Sequence, residues 1–385
     1  MFELLDFERR TLPIPPATLA PRPSIFPSLA DHHLPYIVPA LVYWIIGLTF
    51  HYIEKTDFLS AYKLHTPAEF LKKNRATRRD VIKFALIQQA GQILLGYWMA
   101  EASEVFHSDH YSVAAWALTI RRIQVFLAHL IHYFGFTSVW AAQTRAGTEA
   151  VFANSVIQDS ISACLHNSSQ AAYVGCTAGA ASFTRWEWAS AELVYWIIVP
   201  AIQYATAMAL ADSFQYFTHR TFHVNKWLYK HIHSMHHDVY VPFAYGAFYN
   251  HPLETIPIDS IGFPICLGLA GLNNRQAALF GAIWTFKTVV DHCGYNFPYN
   301  PCNIICPNSV LFHDLHHQTW GMKYNFSVYT SFWDWIMGTH WAGEDSKAQK
   351  KYTRGKEAAE RALAKDKLIS EVSEEFAAVS TARDL

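Results

Sequence analysis

Charge is the first thing this sequence has little of. Asp, Glu, Lys and Arg make up 16% of its 385 residues and nearly cancel, at a formal net charge of -1, whereas soluble domains carry about 25% charged residues. No basic stripe is present that would track a nucleic-acid backbone. Cysteine is sparse as well. The six thiols form no C-x-x-C pair, which removes zinc ribbons and dithiol redox motifs, and Cys302 and Cys306 read as packed thiols. There is no H-E-x-x-H of a zinc hydrolase, no glycine-rich phosphate loop and no internal repeat at a fixed period. A short apolar run close to Met1, as in a cleaved secretory signal, is also missing. A proline-rich leader (Pro13, Pro15, Pro16, Pro21, Pro23, Pro27) stands there instead.

What fills the chain is aromatic (15%) and apolar. Tyr36 to Ile53 carries no Lys, Arg, Asp or Glu over 18 residues, close to the roughly 20 that cross a hydrocarbon core. Phe84 to Ala100 and Leu193 to Ala211 are two further stretches of spanning length, so three crossings are the minimum expected. From Ile256 to Val290 two apolar legs flank Gly271, Leu272, Asn273, Asn274 and Arg275, the pattern of a helical hairpin. Ser112 to Phe136 is apolar but broken by Arg121 and Arg122, whose insertion costs about 2.5–3.5 kcal/mol each at mid-span; it reads as an interfacial helix. Lys63, Lys72, Lys73, Arg75, Arg78, Arg79 and Lys83 follow the first span, which places that loop in the cytosol. Counting crossings from there puts the histidine clusters on the cytosolic side and the Asn167-Ser168-Ser169 glycosylation triplet in the lumen.

These patterns predict an all-α fold, an integral membrane helical bundle with a cytosolic histidine-rich helical cap that holds a dimetal site. Residues 1–35 form the leader and 36–211 the transmembrane helices with an interfacial or lumenal segment. Residues 212–340 form the histidine-box catalytic domain, including a membrane hairpin, and 341–385 a charged tail with a solvated helix over Lys356 to Phe376.

Histidine is the compositional excess. The chain has 21, and eleven fall between His219 and His317. His219 and His223 stand at i and i+4, which stacks them on one helical face. His233, His236 and His237 stand at i, i+3 and i+4, and His313, His316 and His317 repeat that spacing. Eight imidazoles exceed the four ligands a single ion usually takes, so two ions are implied. Imidazole suits Zn, Cu, Fe and Ni alike, but neutral nitrogen donors beside apolar spans favour oxygen chemistry on a lipid over hydrolysis. His292 and His251, at the ends of the hairpin legs, are further candidate ligands. Asp212, Asp238, Asp291 and Asp314 are candidates to accept the outer ring N–H of those imidazoles. His65 and the other scattered histidines have no spacing partner. A non-catalytic metal transporter is the competing class, but it would carry its ligands within spans, and these boxes lie beyond span ends.

The three boxes, H-x3-H, H-x2-H-H and H-x2-H-H, resemble the fatty acid hydroxylase superfamily from Asp212 to about Gly338. Within it, the string from Asp212 through His219, His237 and Glu254, together with DHCGYNFPYNP, HDLHHQTWGMKYNFS and FWDWIMGT, is similar to the fungal sphinganine C4-hydroxylases. The resemblance implies an endoplasmic reticulum enzyme with two irons, using O2 and electrons from NADPH through cytochrome b5 and its reductase. It implies as ligands His219, His223, His233, His236, His237, His313, His316 and His317, with His292 added. The implied reaction is hydroxylation of sphinganine or dihydroceramide at carbon 4 to give phytosphingosine. His251 is the departure, since the hydroxylases tend to have Asn there and sterol-modifying relatives carry His-Pro. A sterol desaturase or methyl-sterol oxidase on the same diiron site is therefore the alternative substrate reading.

Overall fold

The computed structural model describes residues 10–11, 19–99, 105–134, 182–298, 308–343 and 345–383. The Asn167 triplet, Cys302, Cys306, Pro13, Pro15 and Pro16 lie outside them. The chain is mostly helical and divides into two compact units, one of residues 1–27 and 102–203, the other of residues 28–101 and 204–385. In chain order the main helices are α1 (Leu34–Thr56), α2 (Pro67–Lys73), α3 (Arg78–Met99), α4 (Asp109–Tyr133), α5 (Arg185–Leu193) and α6 (Val199–Val224). There follow α7 (Lys226–His231), α8 (Pro252–Thr255), α9 (Phe263–Leu269), α10 (Asn274–Asp291), α11 (Val310–His317), α12 (Phe332–Ile336) and α13 (Ser346–Arg383).

The first unit adds a little β structure that the all-α expectation did not contain. Arg10–Thr11 pairs antiparallel with Ser182–Phe183, and Leu19–Pro21 with Val105–His107. Here α4 is one continuous helix over the described part of the predicted Ser112 to Phe136 stretch, and it packs on α5 through Val113, Ala114, Ala117 and Ala191. Arg121 is paired. Its guanidinium donates to both oxygens of Glu187 (2.8 and 2.6 Å), and Glu187 also closes the capping box with Thr184 that starts α5.

Two described helical segments, Asp31–Thr56 and Arg185–Val224, are long and apolar enough to cross a membrane. They contain the first and third predicted spans; the second, within α3, forms a 22-residue helix that is less apolar. On α1 the buried positions are Leu34, Tyr43 and Gly47, while Leu41, Ile45 and Leu48 stand more than half exposed. A face of that kind is costly in water and is the outside of a lipid-embedded or partner-covered helix.

In the second unit α1 crosses α10 closely. A Cβ on Gly281 would lie 2.9 Å from Cγ of Pro39, so only glycine lets the two backbones meet there. The predicted hairpin is present: a leg from Pro252 to Leu269, a turn with Gly271 at φ 73, and α10, started by the Asn273–Gln276 capping box. Pro257 does not break the first leg because Ile256–Gly262 is a π-helix. Proline lacks an N–H and crowds the carbonyl of i−4, and the wider i→i+5 turn accommodates it. Helix α13 extends the predicted tail helix and returns against α2, where Lys72 pairs with Asp366.

Candidate metal centre

Each histidine box is presented by a different local structure. His219 and His223 lie on the last turn and a half of α6, as their spacing predicts. His313, His316 and His317 occupy α11, whose Ser309 N-cap accepts from the Phe312 N–H. The middle box departs from expectation, because His233–Asp238 is a 3-10 helix instead of an α-helix. His292 is the C-cap of α10.

These elements bring nine imidazoles into two groups whose ligand nitrogens lie within 4.8 Å of one another in each. The first group is His219, His223, His233, His237 and His316; the second is His236, His292, His313 and His317. All are buried except His223 and His237, which are half-buried. The Nε2 atoms converge. In the first group His219 stands 3.2 Å from His233 and 3.1 Å from His316, and His223 stands 3.1 Å from His237. In the second, His292 is 3.0 Å from His313 and 3.5 Å from His236, and His313 is 3.1 Å from His317.

The opposite ring nitrogens decide what those short distances mean. Nδ1–H donates to a backbone carbonyl in His219 (Phe326, 2.8 Å), His236 (Tyr249, 3.4 Å), His292 (Thr288, 2.8 Å), His316 (Tyr324, 2.7 Å) and His317 (Val239, 3.0 Å). A carbonyl accepts and cannot donate, so the proton of each ring sits on Nδ1 and Nε2 carries a lone pair. His219 and His316 therefore face each other lone pair to lone pair at 3.1 Å, which no hydrogen bond explains and a shared cation does. Two nitrogens about 2.1 Å from one ion, at right angles, would be about 3.0 Å apart. Burial, with the neighbouring imidazoles adding to it, pushes the pKa of His236, His237, His313, His316 and His317 well below the ordinary value. Neutral imidazole is the form that ligates. The donor set thus fits two ions held entirely by neutral nitrogen.

The sequence placed the outer partners wrongly. None of the four aspartates hydrogen-bonds an imidazole of either group among the described contacts. Asp212 accepts from the Tyr329 and Thr330 N–H groups (3.1 and 3.2 Å) and so braces the segment that carries Phe326. Asp291 is taken by the Lys287 ammonium, which also donates to the Asn308 carbonyl (2.9 Å). Asp238 lies 3.8 Å from the exposed Arg75. Asp314 turns away from the centre to His65 (2.9 Å) and accepts from the Tyr352 hydroxyl (2.6 Å). An aspartate inside a box is on the wrong helical face to reach the rings beside it, and backbone carbonyls take the role. The carboxylate that does so is Glu254, whose Oε1 accepts from His233 Nδ1 at 2.7 Å. His251 joins neither group. Its Nδ1 accepts from the Leu253 N–H at 3.1 Å as the N-cap of α8, which satisfies one of the N–H groups left open at a helix start.

His65 was also missed. It is buried between Glu69 (3.1 Å) and Asp314 (2.9 Å). Although burial disfavours its charge, the Asp314 carboxylate and then Glu69 raise its pKa to about 9. Only its position 249 residues from Asp314 kept that partnership out of reach of spacing arguments.

An elongated cavity of about 350 Å3 opens onto His219, His233, His236, His292 and His313. Along α10 its wall runs from Asn274 to Thr288, about 21 Å at 1.5 Å per residue. Both polar side chains, among them Gln89, Asn250 and Asp259, and apolar ones, among them Phe263, Leu267 and Trp284, line it.

The chain belongs to the fatty acid hydroxylase family, an iron-dependent oxygenase family whose profile matches residues 204–339. It is 32% identical to a sphingolipid C4-hydroxylase of Schizosaccharomyces pombe over 84% of this chain and 92% of the relative. A sphinganine C4-monooxygenase of Arabidopsis thaliana is 48% identical over 37% of this chain and 56% of its own length. A very-long-chain aldehyde decarbonylase of Oryza sativa subsp. indica matches at the same identity and coverage. No solved structure matches the chain.

Proposed function

We propose that this protein hydroxylates carbon 4 of sphinganine, or of its N-acylated form dihydroceramide, to give phytosphingosine, using two irons and O2. Electrons would come from NADPH through cytochrome b5 and its reductase. The observation that carries the reading is the pair of all-nitrogen groups at one end of a long cavity lined by both polar and apolar side chains. When bound there, the irons supply O2 activation and oxidation of an unactivated methylene. His219, His223, His233, His237 and His316 would hold one iron, and His236, His292, His313 and His317 the other.

The rest is the work of the chain. The carbonyls behind five of the rings hold each Nε2 lone pair inward without a search over tautomers. The elongated cavity aligns an alkyl chain and excludes water from the reacting carbon, so regioselectivity becomes a matter of where the head stops. The similarity over most of the chain to a sphingolipid C4-hydroxylase supports this substrate class over sterols and aldehydes.

The placement we propose is the endoplasmic reticulum membrane, multi-pass, with the boxes toward the cytosol. The loop between α1 and α3 carries the cluster of Lys and Arg, and it is tied to the middle box by Arg75 N–H to the Asp238 carbonyl (2.9 Å) and Asn74 to the Val241 carbonyl (3.1 Å). Under the positive-inside rule the boxes share that side. Expression in cells that lack their own 4-hydroxylase tests the function: trihydroxy base should appear, and a base profile identical to the empty vector, from protein that carries iron, would overturn it.

A further inference from the structure

Resting on that reading, we infer that Glu254 and Asp259 form the subsite for the substrate's protonated amine, so that the enzyme takes the free sphingoid base in preference to its N-acylated form.

Both side chains line the histidine end of the cavity, and its wall holds no Lys or Arg among the described residues. Glu254 is 7% exposed; its Oε1 is on His233, while Oε2 is buried without a hydrogen-bond partner. Asp259 has no hydrogen bond or ion pair among the described residues. The hairpin's two cations are engaged elsewhere, Arg275 with Asp31 and Lys287 with Asp291. Five residues apart, Glu254 and Asp259 would diverge on an α-helix, but the i→i+5 turn of Ile256–Gly262 brings that spacing toward one face. The π-helix therefore accommodates Pro257 and aims a second carboxylate into the same cavity.

With no Lys or Arg beside them in the cavity wall, Glu254 Oε2 and Asp259 offer acceptors that select a ligand by its N–H donors. A fatty acid would bring a third negative charge. A sterol hydroxyl or an amide N–H brings a single neutral donor, which leaves most of the acceptor positions on two carboxylates unmet. An ammonium answers both, because its three N–H donors can reach Glu254 Oε2, Asp259 and a neutral acceptor such as Asn250 or Ser260 beside them. The position suits the reaction as well. Glu254 touches the outer nitrogen of His233, so an ammonium on Oε2 sits about one imidazole from the metal site, and the amine of sphinganine is two carbons from carbon 4. At about 1.2 Å per bond of extended chain, the rest of the cavity takes the roughly fourteen-carbon tail.

Binding tests this without turnover. Full-length, iron-loaded protein in detergent, without reductant, is titrated with sphinganine, with N-acetylsphinganine and with the analogue bearing hydroxyl in place of the amine, following quenching of tryptophan fluorescence. Wild type should bind sphinganine at least tenfold more tightly than either neutral analogue. Asp259→Asn should lose at least tenfold for sphinganine, change less than twofold for the neutral pair, and keep its iron. Equal affinities in wild type, or an Asp259→Asn loss shared by all three ligands, would overturn the inference. If Asp259→Asn fails to fold, the wild-type comparison decides alone. Amine-selective binding by a protein that makes no 4-hydroxylated product would leave the subsite standing and sink the assigned reaction instead.

Discussion

Replacing His65 with Gln should cost the second unit several degrees of thermal stability and loosen the metal centre without touching a ligand. His65 is held in its charged form between two buried carboxylates, Glu69 at 0% and Asp314 at 0% exposure. Raising a pKa from 6.5 to about 9 corresponds to about 3 kcal/mol. Removing one member of a buried pair costs about 3–5 kcal/mol by a separate route. Glu69 keeps Lys73 (2.6 Å), so the loss falls mainly on Asp314, which is left with the Tyr352 hydroxyl. At about 2–4 °C per kcal/mol, the melting temperature should drop by roughly 6–20 °C. The sign with pH follows from the raised value. The contribution is complete below pH 6.5 and fades as pH rises through about 9, so the wild type should lose stability over that window and His65→Gln should lose markedly less. Glu69, whose pKa is held near 2 against the opposing effect of burial by His65 and Lys73, contributes at its other end, with stability lost as pH falls from about 4.5 toward 2. Melting curves from pH 6 to 9.5 measure the His65 effect, curves from pH 5 down to 2 that of Glu69, and mass spectrometry the iron content. A variant within 2 °C of wild type at pH 6.5, or two parallel pH profiles, would refute the reasoning.

His223→Ala and His313→Ala should each lose about one iron of two, since they remove ligands from different groups, and both should fall to background hydroxylation; metal analysis of the purified variants checks this. Glu254→Gln should lower iron retention or turnover by about 10- to 100-fold, the usual effect of removing an outer partner, in a chelator competition assay. His251→Ala should keep both irons and full turnover while losing about 1 kcal/mol of stability, because the residue caps α8. Gly281→Ala should cost about 1–3 kcal/mol by pushing Cβ into Pro39, and it should shift substrate preference toward shorter chains, read from competition between bases of different length.

The histidine grouping was legible because each box is local. An i, i+4 pair on α6 and on α11 needs nothing but helical geometry, and the hairpin was legible from two apolar legs around Gly271. What escaped depends on contacts far apart in the chain or on backbone that helical periodicity does not describe. Glu254 reaches His233 only because the leg folds back beside the middle box, and His65 meets Asp314 only when the loop after α1 packs on α11. The aspartates were misjudged for a related reason: a carboxylate adjacent to a ligand in sequence points off the ligand's face, so proximity in the chain argued for the wrong residues. The second apolar stretch became part of a helix as expected, and Arg78, Asp80 and Lys83 form the charged start of that helix ahead of it.

The spacing of the boxes explains why there are two groups. In the middle and last boxes the i, i+4 pair shares a group, His233 with His237 and His313 with His317, while the i+3 histidine crosses to the other, His236 to the second and His316 to the first. Each of these boxes therefore bridges both groups. A change that moved α11 would disturb both sites at once. The first box has no i+3 histidine and serves one group. That leaves the second group one short of four, and His292, delivered by the end of α10, completes it. Because α10 also forms the cavity wall, the histidine that completes the second group is joined to the surface that would hold the substrate's tail, so on the proposed reading one helix would position both the metal and the alkyl chain.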